Sequence, residues 1–257
     1  MTHDPVAAAF GRLRDAAATG TPCTPVRDLI DDRSAYAVQQ MLTRARLHDG
    51  HAIAGRKIGL TSPAVQRQLG VDRPDYGVLF DDMARAQYLP IATDGLLQPR
   101  VEAEVAFVLA VDVLEPDRIR EHVAYAVAAL EIVDSRIANW DITFADTVAD
   151  NGSSALYVLG DHRVTLDHFE PRDVLMTMTA DGRTVSEGSG QDCLGDPLHA
   201  LAWLARTALE HGEPLRAGQI VLSGALGPMI PVAPGLHVRA QITGLGTVEA
   251  SFAKETR

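Results

Sequence analysis

Cysteine and basic charge are scarce in this sequence. The two cysteines, Cys23 and Cys193, stand far apart and outside any CxxC or Cys/His spacing, so neither a disulfide framework nor a zinc knuckle is expected. Only 23 basic residues face 34 acidic ones, and the net charge of −11 would repel a phosphate backbone. The composition therefore indicates a protein without a nucleic-acid partner.

A long apolar run is also missing. The longest uncharged stretch, residues 217–238, is broken by three prolines and four glycines, which predicts strand, loop and strand rather than a membrane helix. The first 20 residues carry charges throughout and have no apolar core of the kind found in secretory signals. With no membrane segment and no disulfide pattern, the expected location is the cytoplasm.

Common nucleotide-binding and nucleophile motifs are absent as well. The glycine-containing stretches at 188–193 and 244–249 lack the third glycine of a dinucleotide loop, and neither GxxxxGK[ST] nor GxSxG occurs. One close histidine pair, His48 and His51, flanks Gly50 in a predicted loop, and we do not expect it to bind a metal. Other side chains must carry the chemistry.

Hydrophobic periodicity separates a helical first part from a strand-rich second part. Residues 5–18 and 33–48 have helical spacing, SPAVQRQLG at 62–70 predicts a short helix after a strand near Lys57, and DRPDYG is predicted to be a loop. We therefore expect a mainly helical region over 1–95.

The remainder, 96–257, is predicted to be a β-rich catalytic domain. Asp181-Gly182 marks a hairpin turn, and one helix begins at Asp196-Pro197 and ends at Gly212. The fold class is thus α+β. The strand candidates are 101–111, 129–134, 154–159, 173–179, 183–187, 219–223 and 236–252.

Two glutamates define the most informative strand, RVEAEVAFVLA at 100–110. Glu102 and Glu104 are two positions apart, so a strand points both to one face. Buried together they would repel each other, and a hard divalent cation such as Mg²⁺ or Mn²⁺ would remove that penalty. The pattern equally fits a solvated face with basic partners across the sheet.

Two further residues add to this pattern. Glu131 stands in the apolar stretch AVAALEIV, where a helix is predicted to run into a strand; a salt bridge to Arg100 or Arg136 is the alternative to a metal. Lys57 has Gly55 and Gly59 on its own strand face, which leaves its stem open to a ligand. A lysine beside a metal can have a depressed pKa and transfer protons, although a strand lysine is more often a surface charge.

Six segments closely resemble the 2-keto-4-pentenoate (2-hydroxypenta-2,4-dienoate) hydratases of aromatic meta-cleavage pathways, within the fumarylacetoacetate hydrolase superfamily. The resemblance covers almost the whole chain in order. The segments are GRKIGLTSPAVQRQLGVDRPDYGVLFDDM, LQPRVEAEVAFVL, ALEIVDSRI, DTVADNGSS, CLGDPL and GEPLRAGQIVLSGALGPM.

That resemblance implies a mixed β-sandwich roll with a smaller helical N-terminal region and a ring-shaped homo-oligomer, a pentamer or decamer. It implies a Mg²⁺ or Mn²⁺ on Glu102, Glu104 and Glu131, with Lys57 and Asp75 as catalytic residues. Two positions depart from the family pattern: Gly152 replaces an expected alanine, and Asp196 replaces a frequent histidine. The positions carried over as substrate-binding are Asn151, Ser153, Leu194, Ser223 and Gly224.

The implied reaction is the metal-dependent addition of water to 2-hydroxypenta-2,4-dienoate or a C5-substituted homologue, giving 4-hydroxy-2-oxopentanoate. A 4-oxalocrotonate decarboxylase is the alternative, since such enzymes share the VEAEV-like and ADN-like segments. Hydrolysis of an acylpyruvate would require a His/Glu pair that the N-terminal region lacks. A non-catalytic partner of a pathway decarboxylase or aldolase is a further alternative, and the complete acidic set with Lys57 argues against it.

Overall fold

The computed structural model describes residues 4–62, 66, 71 and 73–254. The helix predicted over 62–70 falls almost entirely outside these residues.

The helices begin at the capping residues that the sequence offers. Asp4, Asp31 and Asp196 each accept a hydrogen bond from a backbone N–H in the first turn, and Ser34 completes a capping box with Asp31. The predicted helices at 5–18, 33–48 and after Asp196 are confirmed. In chain order the helices are α1 (Pro5–Thr19), α2 (Asp32–His48), α3 (Phe144–Ala149) and α4 (Pro197–Glu210).

A large mixed sheet forms the centre of the described structure. Its strands are β1 (Ile53–Gly59), β2 (Asp75–Phe80), β3 (Ala84–Arg85), β4 (Arg100–Leu109), β5 (Val123–Val133), β6 (Ser154–Leu159), β9 (Ile220–Ala225) and β10 (Ile230–Pro231). They are arranged in the order β2-β1-β9-β4-β5-β6-β3, with β10 paired to β4. The β1/β9 and β3/β6 pairs are parallel and the rest are antiparallel.

A second sheet of order β12-β11-β7-β8 packs against one face of the first. Phe107 and Leu130 of the large sheet share a buried core with Met178 and Val248 of the small one. The predicted α+β fold with a mixed sheet sandwich and N-terminal helices is confirmed. The strands are β7 (Leu175–Ala180), β8 (Arg183–Ser189), β11 (His237–Ile242) and β12 (Gly246–Ser251).

The predicted hairpin turn at Asp181-Gly182 is present between β7 and β8. Both residues have positive φ, 48° and 78°, as a two-residue hairpin turn requires.

Two sequence predictions of local structure are wrong. The alanine-rich stretch before Glu131 is strand, not helix: β5 runs unbroken from Val123 to Val133, because β4 and β6 pair with its two edges. DRPDYG is only partly a loop, since Asp75 already begins β2 opposite Gly59. In both places pairing between distant segments outweighs local preference.

Strand pairing also crosses the predicted boundary between 1–95 and 96–257. β1 and β2 belong to the large sheet, so the first region contributes strands to that sheet as well as a helical part with α1 and α2. Asp146 of α3 anchors that part: its carboxylate accepts the backbone N–H groups of Val26 and Arg27 and pairs with the Arg27 guanidinium at 2.8 Å. The division into two domains stays a prediction.

Among the described residues, no helix is long and apolar enough to cross a membrane.

Candidate active site

Three glutamates converge on the face of the large sheet opposite the second sheet. Glu102 of β4 lies directly across from Glu131 of β5, and Glu104 follows on the same face. Glu104 and Glu131 are fully buried. One carboxylate oxygen from each residue lies within 4.8 Å of the others. The predicted shared face is therefore present, and the alternative of a solvated face with basic partners is wrong.

The glutamates repel one another in this position. Burial, together with the charge of Glu131, raises the pKa of Glu102 to about 7. The same two causes raise the pKa of Glu104 well above its ordinary value, while a hydrogen bond at 2.7 Å from the Gly224 N–H opposes them. Such an arrangement favours either protonation or a bound cation.

The donor set fits a divalent metal. Glu104 Oε1 is buried and accepts no hydrogen bond from the described residues, and Glu131 Oε1 is buried with only the Lys57 ammonium, at 3.1 Å, as a partner. Buried carboxylate oxygens without donors are costly, and oxygen ligands of this kind are those that Mg²⁺ and Mn²⁺ prefer. Glu102, Glu104 and Glu131 are thus the residues that would hold such an ion.

Lys57 lies over this cluster and is 3 % exposed. Its Nζ is 3.1 Å from Glu131 Oε1. Arg136 instead pairs with Asp150 and Arg100 lies over the Trp140 ring, so the predicted alternative of a salt bridge from Glu131 to Arg100 or Arg136 is wrong. Burial acts to lower the pKa of Lys57, but the surrounding carboxylates outweigh it and raise the pKa above its usual value. The depressed pKa expected for a lysine beside a bound metal stays a prediction. A cation bound to the same carboxylates would offset the charge that raises it.

Asp75 approaches Lys57 from the neighbouring strand. It is 1 % exposed, its Oδ2 accepts the Thr147 hydroxyl at 3.0 Å, and its Oδ1 has no hydrogen-bond partner among the described atoms. Burial raises the pKa of Asp75, against the opposing charge of Lys57. Gly59 makes this position available, because a Cβ there would lie 2.1 Å from Asp75 Oδ1.

A cavity of about 260 Å³ opens above these groups. Lys57, Asp75 and Glu102 supply its polar part. An apolar wall faces them, formed by Val133, Trp140, Ile142 and Met229. The Arg100 guanidinium also lines the cavity, 4.6 Å from the centre of the Trp140 ring. The arrangement can hold a small molecule with an anionic end and a hydrocarbon end.

The two predicted substrate-binding residues of the DNGSS segment differ in position. Ser153 lines the cavity. The Asn151 side chain instead donates to the Val78 carbonyl and accepts the Val78 N–H, at 2.9 and 2.8 Å. Both residues have positive φ, 56° and 54°. Asn151 therefore fastens this tight turn to β2, and its role in binding substrate stays a prediction.

The other three carried-over positions contact residues of the site without lining the cavity. Gly224 donates its N–H to Glu104, and Ser223 accepts the Cys193 thiol at its carbonyl oxygen, at 3.0 Å. Leu194 donates its N–H to the Thr61 carbonyl at 3.0 Å. Among the described residues that line the cavity, none of these three occurs. Direct binding of substrate by these three residues stays a prediction.

The two departures from the family pattern have structural explanations. Gly152 has a φ of 61°, and a Cβ there would lie 2.9 Å from Lys57 Cε. Asp196 caps α4 by accepting the Leu198 N–H at 2.8 Å, and it does not line the described cavity. Asp196 thus caps the start of α4 and is not one of the charged residues that line the cavity.

A second acidic group, His51 with Asp81 and Asp82, lies at the surface. Asp82 pairs with Arg46, and Asp81 accepts the N–H groups of Ala52 and Asp82. These contacts satisfy the carboxylates without a metal.

Sequence reasoning missed Thr147, Arg100 and Trp140. Thr147 sits in the DTVADNGSS segment, but only the fold brings its hydroxyl to Asp75. Trp140 follows Asn139 in a turn where both have positive φ, and its Nε1 donates to the Gln98 carbonyl at 3.0 Å. The periodicity of the sequence contains no signal for that turn.

This fold and this acidic site define a class of protein. Residues 71–253 match the family described as fumarylacetoacetate (FAA) hydrolase C-terminal, and the chain belongs to that family. In structure it resembles the 4-oxalocrotonate decarboxylase of Pseudomonas putida G7 complexed with magnesium and adipate. The TM-score is 0.93 and the identity 30 %, over 98 % of each chain.

Within that family the chain belongs with the 2-keto-4-pentenoate hydratases. It is 49 % identical to the 2-keto-4-pentenoate hydratase of Burkholderia vietnamiensis, over 97 % of this chain and 98 % of that one. It is 52 % identical to the TodF product hydratase of Pseudomonas putida strain F1, over 94 % and 93 % of the two chains.

Proposed function

We propose that this chain is a 2-oxopent-4-enoate hydratase, a hydro-lyase that adds water to 2-hydroxypenta-2,4-dienoate in a meta-cleavage pathway. The observation that carries the proposal is the convergence of Glu102, Glu104 and Glu131 beside one small cavity, which Glu102, Lys57 and Asp75 line. The identity of about half the residues with hydratases along nearly the whole chain supports the same activity.

The cofactor proposed is Mg²⁺ or Mn²⁺ on the three glutamates. When bound, it would supply a Lewis acid for the carboxylate and 2-oxygen of the substrate, stabilising negative charge on that oxygen. The magnesium in the related decarboxylase structure and the unpaired Glu104 Oε1 here support this choice.

The protein's own residues would move the protons. Conversion of the dienol to its ketone removes the 2-hydroxyl proton and adds one at C5; water then adds at C4, loses a proton, and C3 gains one. Lys57 and Asp75 are the two buried ionisable groups beside the glutamates in the cavity, and we assign these transfers to them as a pair. The wall of Val133, Trp140, Ile142 and Met229 would hold the hydrocarbon end and admit a C5 substituent.

A product assay tests the activity. Purified protein receives freshly generated 2-hydroxypenta-2,4-dienoate with Mg²⁺ or with chelator, while dienol absorbance and product identity are followed. The expected product is 4-hydroxy-2-oxopentanoate, formed only with metal. Release of CO₂ from 2-oxohex-3-enedioate without hydration of the dienoate would instead assign the decarboxylase activity.

A homo-oligomeric ring, a pentamer or decamer, is also proposed, together with association with a pathway decarboxylase or aldolase. Tyr88 and Leu89, 77 % and 65 % exposed, are apolar surface that a subunit contact would cover. Light scattering coupled to gel filtration would give the mass, and a monomer at micromolar concentration would contradict the ring.

A further inference from the structure

A second cavity lies behind the strands that carry Lys57 and Asp75. Side chains alternate along β1 and β2, so Arg56, Tyr76 and Val78 point away from the glutamates. They line a rear cavity of about 310 Å³, closed by α2 and by the segment from Gly212 to Gln219. This volume is within the range of small-ligand sites.

The rear cavity is rich in positive charge. Arg44, Arg56 and Arg216 line it, against Glu213 as the one acidic residue among its described lining groups. That balance is the reverse of the chain as a whole, which carries a net charge of −11. A local excess of arginine in an acidic protein favours an anionic occupant.

Arg56 is incompletely neutralised. It is only 4 % exposed, yet Glu213 Oε2 lies 3.5 Å from its Nη2, and the Glu213 side chain is 52 % exposed. Its Nη1 donates to the Gly55 carbonyl at 3.2 Å. A buried guanidinium ordinarily needs a close bidentate partner, and an exposed carboxylate at this distance is a weak one.

Two other hydrogen-bond donors that line the rear cavity, Gln39 and Arg216, already have partners, whereas Arg44 has no ion-pair partner among the described residues. Gln39 donates to the carbonyls of Tyr76 and Val148, and Arg216 pairs with Asp112 at 2.8 Å. Arg44 is exposed and forms no ion pair with any residue that the structure describes. Arg44 therefore remains free to converge with Arg56 on a ligand.

We propose that the rear cavity is a binding site for a small oxyanion, a carboxylate or a phosphate, held between Arg56 and Arg44. The planar guanidinium matches both groups, because its N–H donors pair with two oxygens at once. Glu213 occupies the anion's position weakly and would be displaced when the ligand binds. This site is separate from the glutamate cluster and does not depend on the reaction proposed there.

Titration calorimetry on the Mg²⁺-loaded protein tests the site with two probes, inorganic phosphate and acetate. The variants Arg44→Gln and Glu213→Gln change exposed side chains, so neither threatens the fold, and Arg33→Gln on the same helix α2 is the matched control. Saturable binding of phosphate alone would assign a phosphate site; binding of acetate as well would assign a carboxylate site.

The expected pattern has opposite signs at the two positions. Arg44→Gln should weaken the Kd for the bound probe by about tenfold, the loss of one charge-assisted hydrogen bond, and Glu213→Gln should tighten it several-fold by releasing Arg56. Arg33→Gln should leave it within about twofold, as surface charges do.

Three results would overturn the proposal. The first is an equal Kd for the bound probe in Arg44→Gln, Glu213→Gln and the control Arg33→Gln. The second is no saturable binding of either probe. The third is a change of oligomeric mass in Arg44→Gln without anion binding, which would assign the cavity to an acidic side chain of a second copy.

Discussion

The two faces of β1 and β2 meet surroundings of opposite charge. Lys57 and Asp75 face three glutamates at the front, whereas Arg56 and Tyr76 face a cavity lined by arginines at the rear. Strand alternation alone separates these environments. This short pair of strands thus positions the proposed catalytic groups on one side and lines the proposed anion site on the other.

The front face differs from the rear in how its charges are compensated. At the rear, Glu213 is exposed and can turn to solvent. At the front, Glu104 and Glu131 are fully buried and have Lys57 as their nearby cation. The buried carboxylates of the front face therefore require a bound cation, whereas the exposed Glu213 of the rear does not. Substitutions at the front face should have the larger effects.

The largest effect is expected from Glu104→Gln. It removes a proposed ligand, so Mg²⁺-dependent turnover should fall about a thousandfold or more, beyond the 10–100-fold typical of groups that only support a ligand. Mn²⁺ affinity, measured by titration calorimetry, should fall as well. Glu187→Gln, an exposed carboxylate on β8, is the control; full metal binding and turnover in Glu104→Gln would remove the ligand assignment.

Lys57→Met should come next. Loss of the one cation beside Glu131 should lower the free energy of unfolding of the metal-free protein by about 3–5 kcal/mol. Turnover should fall about a hundredfold or more, which is the lower end of the rate contribution typical of a side chain that transfers protons. Mn²⁺ should bind more tightly, because a repelling charge is gone.

The chain offers a matched control for this change in Lys254, its only other lysine, which is exposed. Lys254→Met should retain turnover and stability. A Lys57→Met protein that behaves like Lys254→Met would show that Lys57 has no part in the reaction.

Gly59→Ala tests the space that the front face reserves for Asp75. The new Cβ would lie 2.1 Å from Asp75 Oδ1, so the carboxylate must move, and kcat should fall about tenfold or more. Gly11→Ala is the control, because a Cβ there meets nothing within 4 Å. Equal kcat values in the two variants would contradict a requirement for the present position of Asp75.

The pKa shifts predict how stability depends on pH. Folding raises the pKa of Glu102 from 4.5 to about 7 and that of Glu104 in the same direction, so the native state binds more protons than the unfolded state in this window. Stability of the metal-free protein should therefore fall as the pH rises from about 5 to 8.

Added Mg²⁺ should reverse that trend, since it binds the ionised carboxylates. The rise in Tm caused by Mg²⁺, measured by scanning calorimetry, should grow over the same pH range. A Mg²⁺ effect that stays constant with pH would contradict the position of these carboxylates in the metal site.

The smallest effect is expected at the rear. Tyr76→Phe removes one hydrogen bond, between the Tyr76 hydroxyl and His211 Nδ1 at 2.9 Å, and should cost about 1 kcal/mol of stability in urea unfolding. Its effect on kcat should be smaller than that of Asp75→Asn at the adjacent position. The reverse order would show that the two faces are not separate.

Local patterns predicted those parts of the front face that lie on single strands. The two-residue spacing of Glu102 and Glu104 and the glycines beside Lys57 mark shared faces directly, since strand geometry fixes them. Local patterns did not predict Asp75 to lie in a strand, because its pairing with Gly59 joins two separate segments of the chain. Thr147 reaches Asp75 only through tertiary packing.

The rear cavity could not be predicted in this way. Arg44, Arg56 and Arg216 come from a helix, a strand and a loop, and no spacing in the sequence relates them. Residue types alone gave no reason to separate Arg56 from the other arginines of an acidic protein. Its burial opposite Lys57 appears only once the sheet is assembled.

An anomalous difference map from crystals grown with Mn²⁺ tests the central claim most directly. We expect a single strong peak at the front face, from a Mn²⁺ ion that Glu102, Glu104 and Glu131 coordinate together. A peak confined to the surface group of His51, Asp81 and Asp82, with none among the three glutamates, would contradict it.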